Sequence, residues 1–223
     1  MLKKIFLSPF LAPVMFLILW IAFMKGCFLY APKEGVLSLA EDSAVIDTIA
    51  KMGYILLLAA LLLLCDDFKD KLKAWGIYFF LALSCFLRES GIQHHLSQTD
   101  TTPFKSRFFL NPNNPLSEKI IFGALLLLVL AAVLYLAIKY AKHLVVSFFK
   151  FDTITWSVAT LCVVGVAAKI VDRYPSNYRK AHGNVALPDN IYQFLQIVEE
   201  SAEMFLPYLA ILILCQHHLK LKE

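Results

Sequence analysis

The sequence predicts an all-α, polytopic membrane protein, a single transmembrane domain of about six helical spans over residues 1–223 with both termini cytoplasmic. Three observations carry this reading. Hydrophobic residues make up 59% of the 223-residue chain and charged residues only 17%, with a mean hydropathy of +0.66. A soluble domain is about 45–50% apolar and about 25% charged, so this chain has too little polar surface to cover itself in water. Second, apolar runs of spanning length recur along it, a span needing about 20 mainly apolar residues. Third, lysines gather in alternate short connections.

The first span is predicted at about residues 5–24, where Lys3 and Lys4 precede an apolar run. That run exceeds the h-region of a secretory signal, about 7–15 residues, and no small-residue cleavage site follows, so it reads as a retained span. The second is predicted at about residues 50–65, with Val45, Ile46 and Ile49 already at helical spacing, and the third at about residues 74–89. The fourth, about residues 118–138, has Asn114 as a candidate N-cap and Pro115 at the first helical position. The fifth covers about residues 153–171 and the sixth about residues 192–216.

Six spans place Lys3 and Lys4, then Lys69, Lys71 and Lys73, then Lys139, Lys142 and Lys150, then Lys220 and Lys222 on one side. Short lysine-bearing connections stay in the cytoplasm, which fixes the orientation. The three longer connections then face outward. Isolated cysteines without C-x-x-C spacing read as small buried hydrophobes. The net charge of +4 and the absence of long basic runs exclude nucleic acid as a partner.

Charge within hydrocarbon costs about 2.5–3.5 kcal/mol per group on insertion scales, so each instance calls for a reason. Glu199, Glu200 and Glu203 open the sixth span, with Glu199 and Glu203 one turn apart on one face. Pro207 has no N–H for the carbonyl of Glu203, which predicts a kink there. Three acids so close cannot all stay ionised unless a cation sits among them. They are either a proton-, metal- or substrate-binding cluster or simply mark the membrane interface.

Arg88 and Glu89 end the third span, followed by His94 and His95. Glu89, His94 and His95, with Glu203, are candidate ligands for a divalent metal, or an acid and a base near the headgroups. Arg88, Asp100, Lys105 and Arg107 form a mixture suited to phosphate or sugar, as any solvated loop could be. At the end of the fifth span, Lys169 and Arg173 are one turn apart, near Asp172 and Arg179. They are suited to pair with the acids of span six or with Glu41 and Asp42, as a structural charge network or as a clamp for an anionic headgroup. His143, His217 and His218 read as ordinary interface residues.

Glu89, His94 and His95 are similar in residue type to the zinc-holding residues of multi-span hydrolases related to alkaline ceramidases. The chain departs from that pattern in having about six spans rather than seven and in lacking a His-x3-His pair, and no family membership follows. P-loop, G-x-G-x-x-G, G-x-S-x-G and H-E-x-x-H motifs are all missing, which removes nucleotide-driven transport, serine esterase and common metalloprotease chemistry.

The leading expectation is a membrane-embedded hydrolase or transferase acting on a lipid or envelope precursor at the outer face. Glu89, His94, His95, Glu199 and Glu203 would be catalytic. Arg88, Asp100, Lys105, Arg107, Asp172, Arg173 and Arg179 would bind substrate. The alternatives are a non-catalytic component that binds lipid or another membrane protein, and a small proton-coupled transporter. Membrane lipids, a lipid-linked substrate or a membrane protein are the expected partners, and a bacterial inner membrane the expected location.

Overall fold

A computed structural model describes residues 2–29, 45–64, 68–92 and 106–221. All regular structure among them is helical: α1 (Leu2–Phe6), α2 (Leu11–Leu29), α3 (Val45–Leu63), α4 (Phe68–Glu89), α5 (Ser106–Leu110), α6 (Leu116–Phe149), α7 (Thr153–Ala181) and α8 (Asp189–Leu221). Four of these, α2, α3, α6 and α7, are long and apolar enough to cross a membrane. The chain falls into two compact units, one of residues 1–60 and 147–223, the other of residues 61–146.

Several helix limits differ from the sequence expectation for local reasons. The first predicted span is divided, α1 ending before Pro9, whose ring disfavours helix in the residue before it. α2 then starts at Leu11 and accommodates Pro13 in its first turn, where N–H groups lack helical partners in any case. α6 runs on to Phe149, about three turns past the expected end. α7 continues through Pro175 and stops at a Schellman turn: the Asn184 N–H reaches the Arg179 carbonyl at 2.8 Å, with Gly183 and Asn184 at positive φ.

In the first unit, α7 and α8 pack along one another with α2 against both, and α3 contributes at one end. Ala12, Phe16, Val164, Ala168, Ala202, Leu209 and Leu212 form one buried cluster; Met24, Ile46, Ala50, Ile197 and Met204 form a second. α8 passes through Pro207 without ending. Gly53 of α3 sits directly over that proline: a Cβ there would stand 2.7 Å from Pro207 Cγ and 2.8 Å from Tyr208 Cε2. The Tyr208 hydroxyl donates to the Ile49 carbonyl at 2.9 Å, which keeps a polar tip satisfied among apolar neighbours.

The turn from α6 to α7 is closed by another Schellman arrangement, Phe151 N–H to Phe148 carbonyl (3.1 Å) and Asp152 N–H to Ser147 carbonyl (3.1 Å). Phe151 takes the left-handed position usually given to glycine, at φ 56°. It is held there by packing: its ring stacks on Trp156 at 5.6 Å, Trp156 stacks on Phe148 at 4.7 Å, and Phe10 meets Trp156 edge-on at 5.5 Å.

In the second unit, the buried Phe108 of α5 meets Phe109 and Phe122 edge-on. Asn114 donates from its side-chain amide to the Phe108 carbonyl at 2.7 Å, so it ties α5 down. Ser84 and Ser90 turn their hydroxyls onto the carbonyls of Phe80 and Phe86, which hides these groups on an apolar helix. α4 ends where Gly91 adopts φ 69°.

The cysteine expectation is met at Cys27, which is buried, whereas Cys85 and Cys162 face outward from the protein.

Candidate functional site

The sharpest polar feature of the first unit lies where the upper half of α7 meets α8. Glu199, Ser201 and Glu203 fall near the middle of α8, on a stretch where Ile197, Ser201, Ala202, Glu203 and Met204 are all buried. The 3.6-residue repeat aims Glu199 and Glu203 at the same neighbour. That neighbour is Lys169 of α7: its Nζ lies 2.6 Å from Glu203 Oε1, 3.7 Å from Glu199 Oε1 and 3.4 Å from Asp172 Oδ2. The Glu203 side chain is 11% exposed and that of Lys169 47%. A flexible four-carbon stem thus carries one ammonium into a seam held by three carboxylates.

Half a turn round from these acids, Ser201 faces α2. Its hydroxyl accepts from Trp20 Nε1 at 2.9 Å, lies 3.2 Å from the Val198 carbonyl and contacts the Met24 sulfur at 3.3 Å. Nothing in the spacing of the sequence marks Trp20 as a partner of Ser201, since 181 residues separate them.

Above Lys169, α7 presents Arg173, Asn177 and Lys180 on successive turns, with Arg179 nearby. Arg173, Arg179 and Lys180 are exposed and have no acidic partner among the described residues. Gly165, Val166, Lys169, Ile170, Arg173 and Asn177 line an open groove of about 370 Å³ along this face. Tyr174, Tyr178 and His182 follow at four-residue intervals, Tyr178 stacked on His182 at 4.0 Å and tilted against Tyr174 at 6.4 Å.

The opposite end of the unit is built differently. Ser157 donates to the buried Gln216 at 2.7 Å, and Gln216 Nε2 donates to the Phe6 carbonyl at 3.2 Å. The Thr153 hydroxyl donates to the Leu7 carbonyl. Asp152 caps α7 by accepting from the Thr155 N–H at 3.1 Å and hydroxyl at 3.0 Å, and it pairs with Lys220 near the end of α8. Burial works to raise the Asp152 carboxyl, but Lys220 and the Thr155 donors outweigh it and hold the group below its ordinary value. The chain's N-terminal turn and the end of α8 therefore share one end of this unit.

The residues singled out from sequence are distributed as follows. Glu199, Glu203, Asp172 and Lys169 come together. Arg173 and Arg179 lie on the same helix beyond them. Arg88 and Glu89 belong to the other unit, at the end of α4. Arg107 is in α5, but its side chain, like His94, His95, Asp100, Lys105, Glu41 and Asp42, lies outside the described residues. Among the described residues no cluster of three or more His, Cys, Asp or Glu could hold a metal ion. Glu203, one of the four candidate ligands, is instead engaged by an ammonium.

Comparison with known protein families, with curated proteins and with solved structures finds no match to this chain.

Proposed function

We propose that this is a six-span membrane component without chemistry of its own, which acts by binding lipid at its outer face. The observation that carries this reading is Lys169 between Glu203 and Glu199. A general base or metal ligand needs a lone pair free to reach a proton or an ion. An ammonium at 2.6 Å engages one carboxylate oxygen of Glu203 and lies 3.7 Å from one of Glu199, which favours the charged, paired form of these acids over a free base. The hydrolase or transferase reading depends on these acids, so their pairing weighs against it. The proton-coupled carrier reading meets the same objection, since the acid beside Pro207 is neutralised within the protein.

Several features favour the six-span topology. This topology takes α4 and α8 as the third and sixth crossings beside the four helices that are long and apolar enough to span. Contacts at Phe6, Leu7 and Gln216 put both ends of the chain at one end of the first unit, as an even number of crossings requires. The aromatic groups at Trp156 and Tyr174 are 18 residues apart on α7, about 27 Å at 1.5 Å per residue. That is close to a hydrocarbon core of about 30 Å bounded by aromatic belts. The lysines near both termini and in the short connections favour a cytoplasmic location for that end, in a bacterial inner membrane.

Lipid and envelope-precursor profiles of a deletion strain and an overexpressing strain test the reading. Unchanged profiles, together with full-length protein that carries no stoichiometric divalent metal, are expected. A lipid class that rises in one strain and falls in the other, or a bound metal lost in Glu203→Gln, would return the assignment to an enzyme.

A further inference from the structure

Building on the lipid-binding reading above, we propose that the groove along the outer third of α7 seats one anionic phospholipid. Its phosphate is held by Arg173 and Asn177, and one acyl chain lies over Val166 and Ile170.

The groove has an apolar half and a polar half stacked in the order a lipid requires. Val166 and Ile170, 61% and 65% exposed, form the deeper part, and Gly165 leaves room by having no side chain. Arg173 and Asn177 form the upper part, one and two turns farther along the same face. From Val166 to Asn177 is 11 residues, about 16 Å of helix, which spans the glycerol region and the first part of an acyl chain. Arg173 is 20 residues from the start of α7 at Thr153, about 30 Å, which places its guanidinium at headgroup depth.

The two cations that border the groove differ in their partners. Lys169 also borders the groove, but its ammonium is turned to Glu203 and Glu199 in the seam with α8 and to the exposed Asp172 beside it. Arg173 is left on the groove side without a carboxylate among the described residues, and Arg179 and Lys180 add positive charge above it. A guanidinium offers paired N–H donors that match two phosphate oxygens, and the Asn177 amide adds another donor. A phosphatidylcholine brings its own quaternary cation toward Arg179 and Lys180, whereas a net-negative headgroup does not. The groove therefore selects for charge as well as for the diacyl body.

The test uses the full-length chain in mild detergent, titrated separately with dioleoylphosphatidylglycerol and dioleoylphosphatidylcholine, with bound lipid counted by native mass spectrometry. A single phosphatidylglycerol adduct is expected at several-fold lower lipid concentration than any phosphatidylcholine adduct. Arg173→Ala should bring the two lipids to the same level, and Arg173→Lys should keep part of the preference. Val166→Trp, which fills the apolar half, should weaken both adducts without lowering the melting temperature. Wild-type phosphatidylglycerol binding in both Arg173→Ala and Val166→Trp would overturn the groove and leave the wider lipid-binding reading intact. A protein dimer in place of lipid adducts, abolished by Val166→Trp, would also overturn it by assigning the groove to a second helix. Conversion of bound phosphatidylglycerol to a product of different mass would defeat the non-catalytic reading while the groove stood.

Discussion

The two ends of the α7–α8 pair use the same kinds of residue to opposite effect. At the end near the chain termini, one acid meets one cation, Asp152 with Lys220, beside contacts between neutral groups: Ser157 with Gln216, Gln216 with the Phe6 carbonyl, Thr153 with the Leu7 carbonyl. At the other end a single Lys169 serves Asp172, Glu199 and Glu203, while Arg173, Arg179 and Lys180 stand apart from those acids. The first arrangement is matched internally and functions as a staple. The second is matched only around Lys169 and leaves Arg173, Arg179 and Lys180 exposed on α7, which is where a charged ligand can contribute.

Removing Lys169 should have the largest effect on this contrast. Lys169→Met leaves two largely buried carboxylates without their cation, and the stranded acids make this the costliest substitution even though the ammonium itself is 47% exposed. A marked fall in melting temperature of the purified protein is expected, with most of it recovered in Lys169→Met/Glu203→Gln. Failure of the double variant to recover would show that Glu203 is not the group left stranded.

Overpacking at the α3–α8 crossing should come next. In Gly53→Ala the added Cβ would press on two rings that cannot swing away, Pro207 and Tyr208. A loss of about 1–3 kcal/mol, read by chemical unfolding, is expected. Full tolerance of alanine would mean that α3 and α8 are not in contact there.

The staple end should respond more gently but over several positions. Gln216→Leu strips a partner from both Ser157 and the Phe6 carbonyl, for about 1–2 kcal/mol. Trp20→Phe removes the indole donor from Ser201 while the Ser201 contact with the Val198 carbonyl survives, so about 1 kcal/mol is expected. Double-variant cycles check whether the two losses add, as distant sites should.

The smallest effect is a pH dependence at Asp152. Because its folded-state pKa lies below the unfolded value, its contribution is fully present above the unfolded carboxylate pKa and is lost as pH falls through the folded one. With both groups partly solvated, the contribution is about 1 kcal/mol or less. The acid limb of the stability–pH profile should flatten in Asp152→Asn. An unchanged limb would locate the acid sensitivity elsewhere.

Much of this architecture is readable from the sequence because burial in lipid leaves a one-dimensional signature. The helices that fill apolar runs follow from composition and length alone. So does the shared face of Glu199 and Glu203, which the helical repeat fixes. The spacing also made Lys169 a candidate partner for those acids, but only packing distances show that Glu203 and Glu199 lie within its reach; Glu41 and Asp42, the other candidates, lie outside the described residues. Other features had weaker signals. Asp152 followed three residues later by Thr155 is an N-cap pattern that could have been recognised, whereas its pairing with Lys220 spans 68 residues and could not. Gln216 marks a span boundary by hydropathy, yet it is fully buried because Ser157 and the Phe6 carbonyl satisfy its amide. Phe151 at positive φ contradicts local preference and is set by its aromatic neighbours, none of which is predictable from the turn itself.

The sequence by itself determined that this chain is helical, apolar on the scale of a bilayer, and equipped with acids and bases near the ends of its spans. Those properties follow from composition and from the 3.6-residue period, both of which are local. The tertiary structure alone decided that Lys169 satisfies Glu203 and that Arg173 is left facing outward, because which charges neutralise one another depends on how α7 and α8 are set against each other in space.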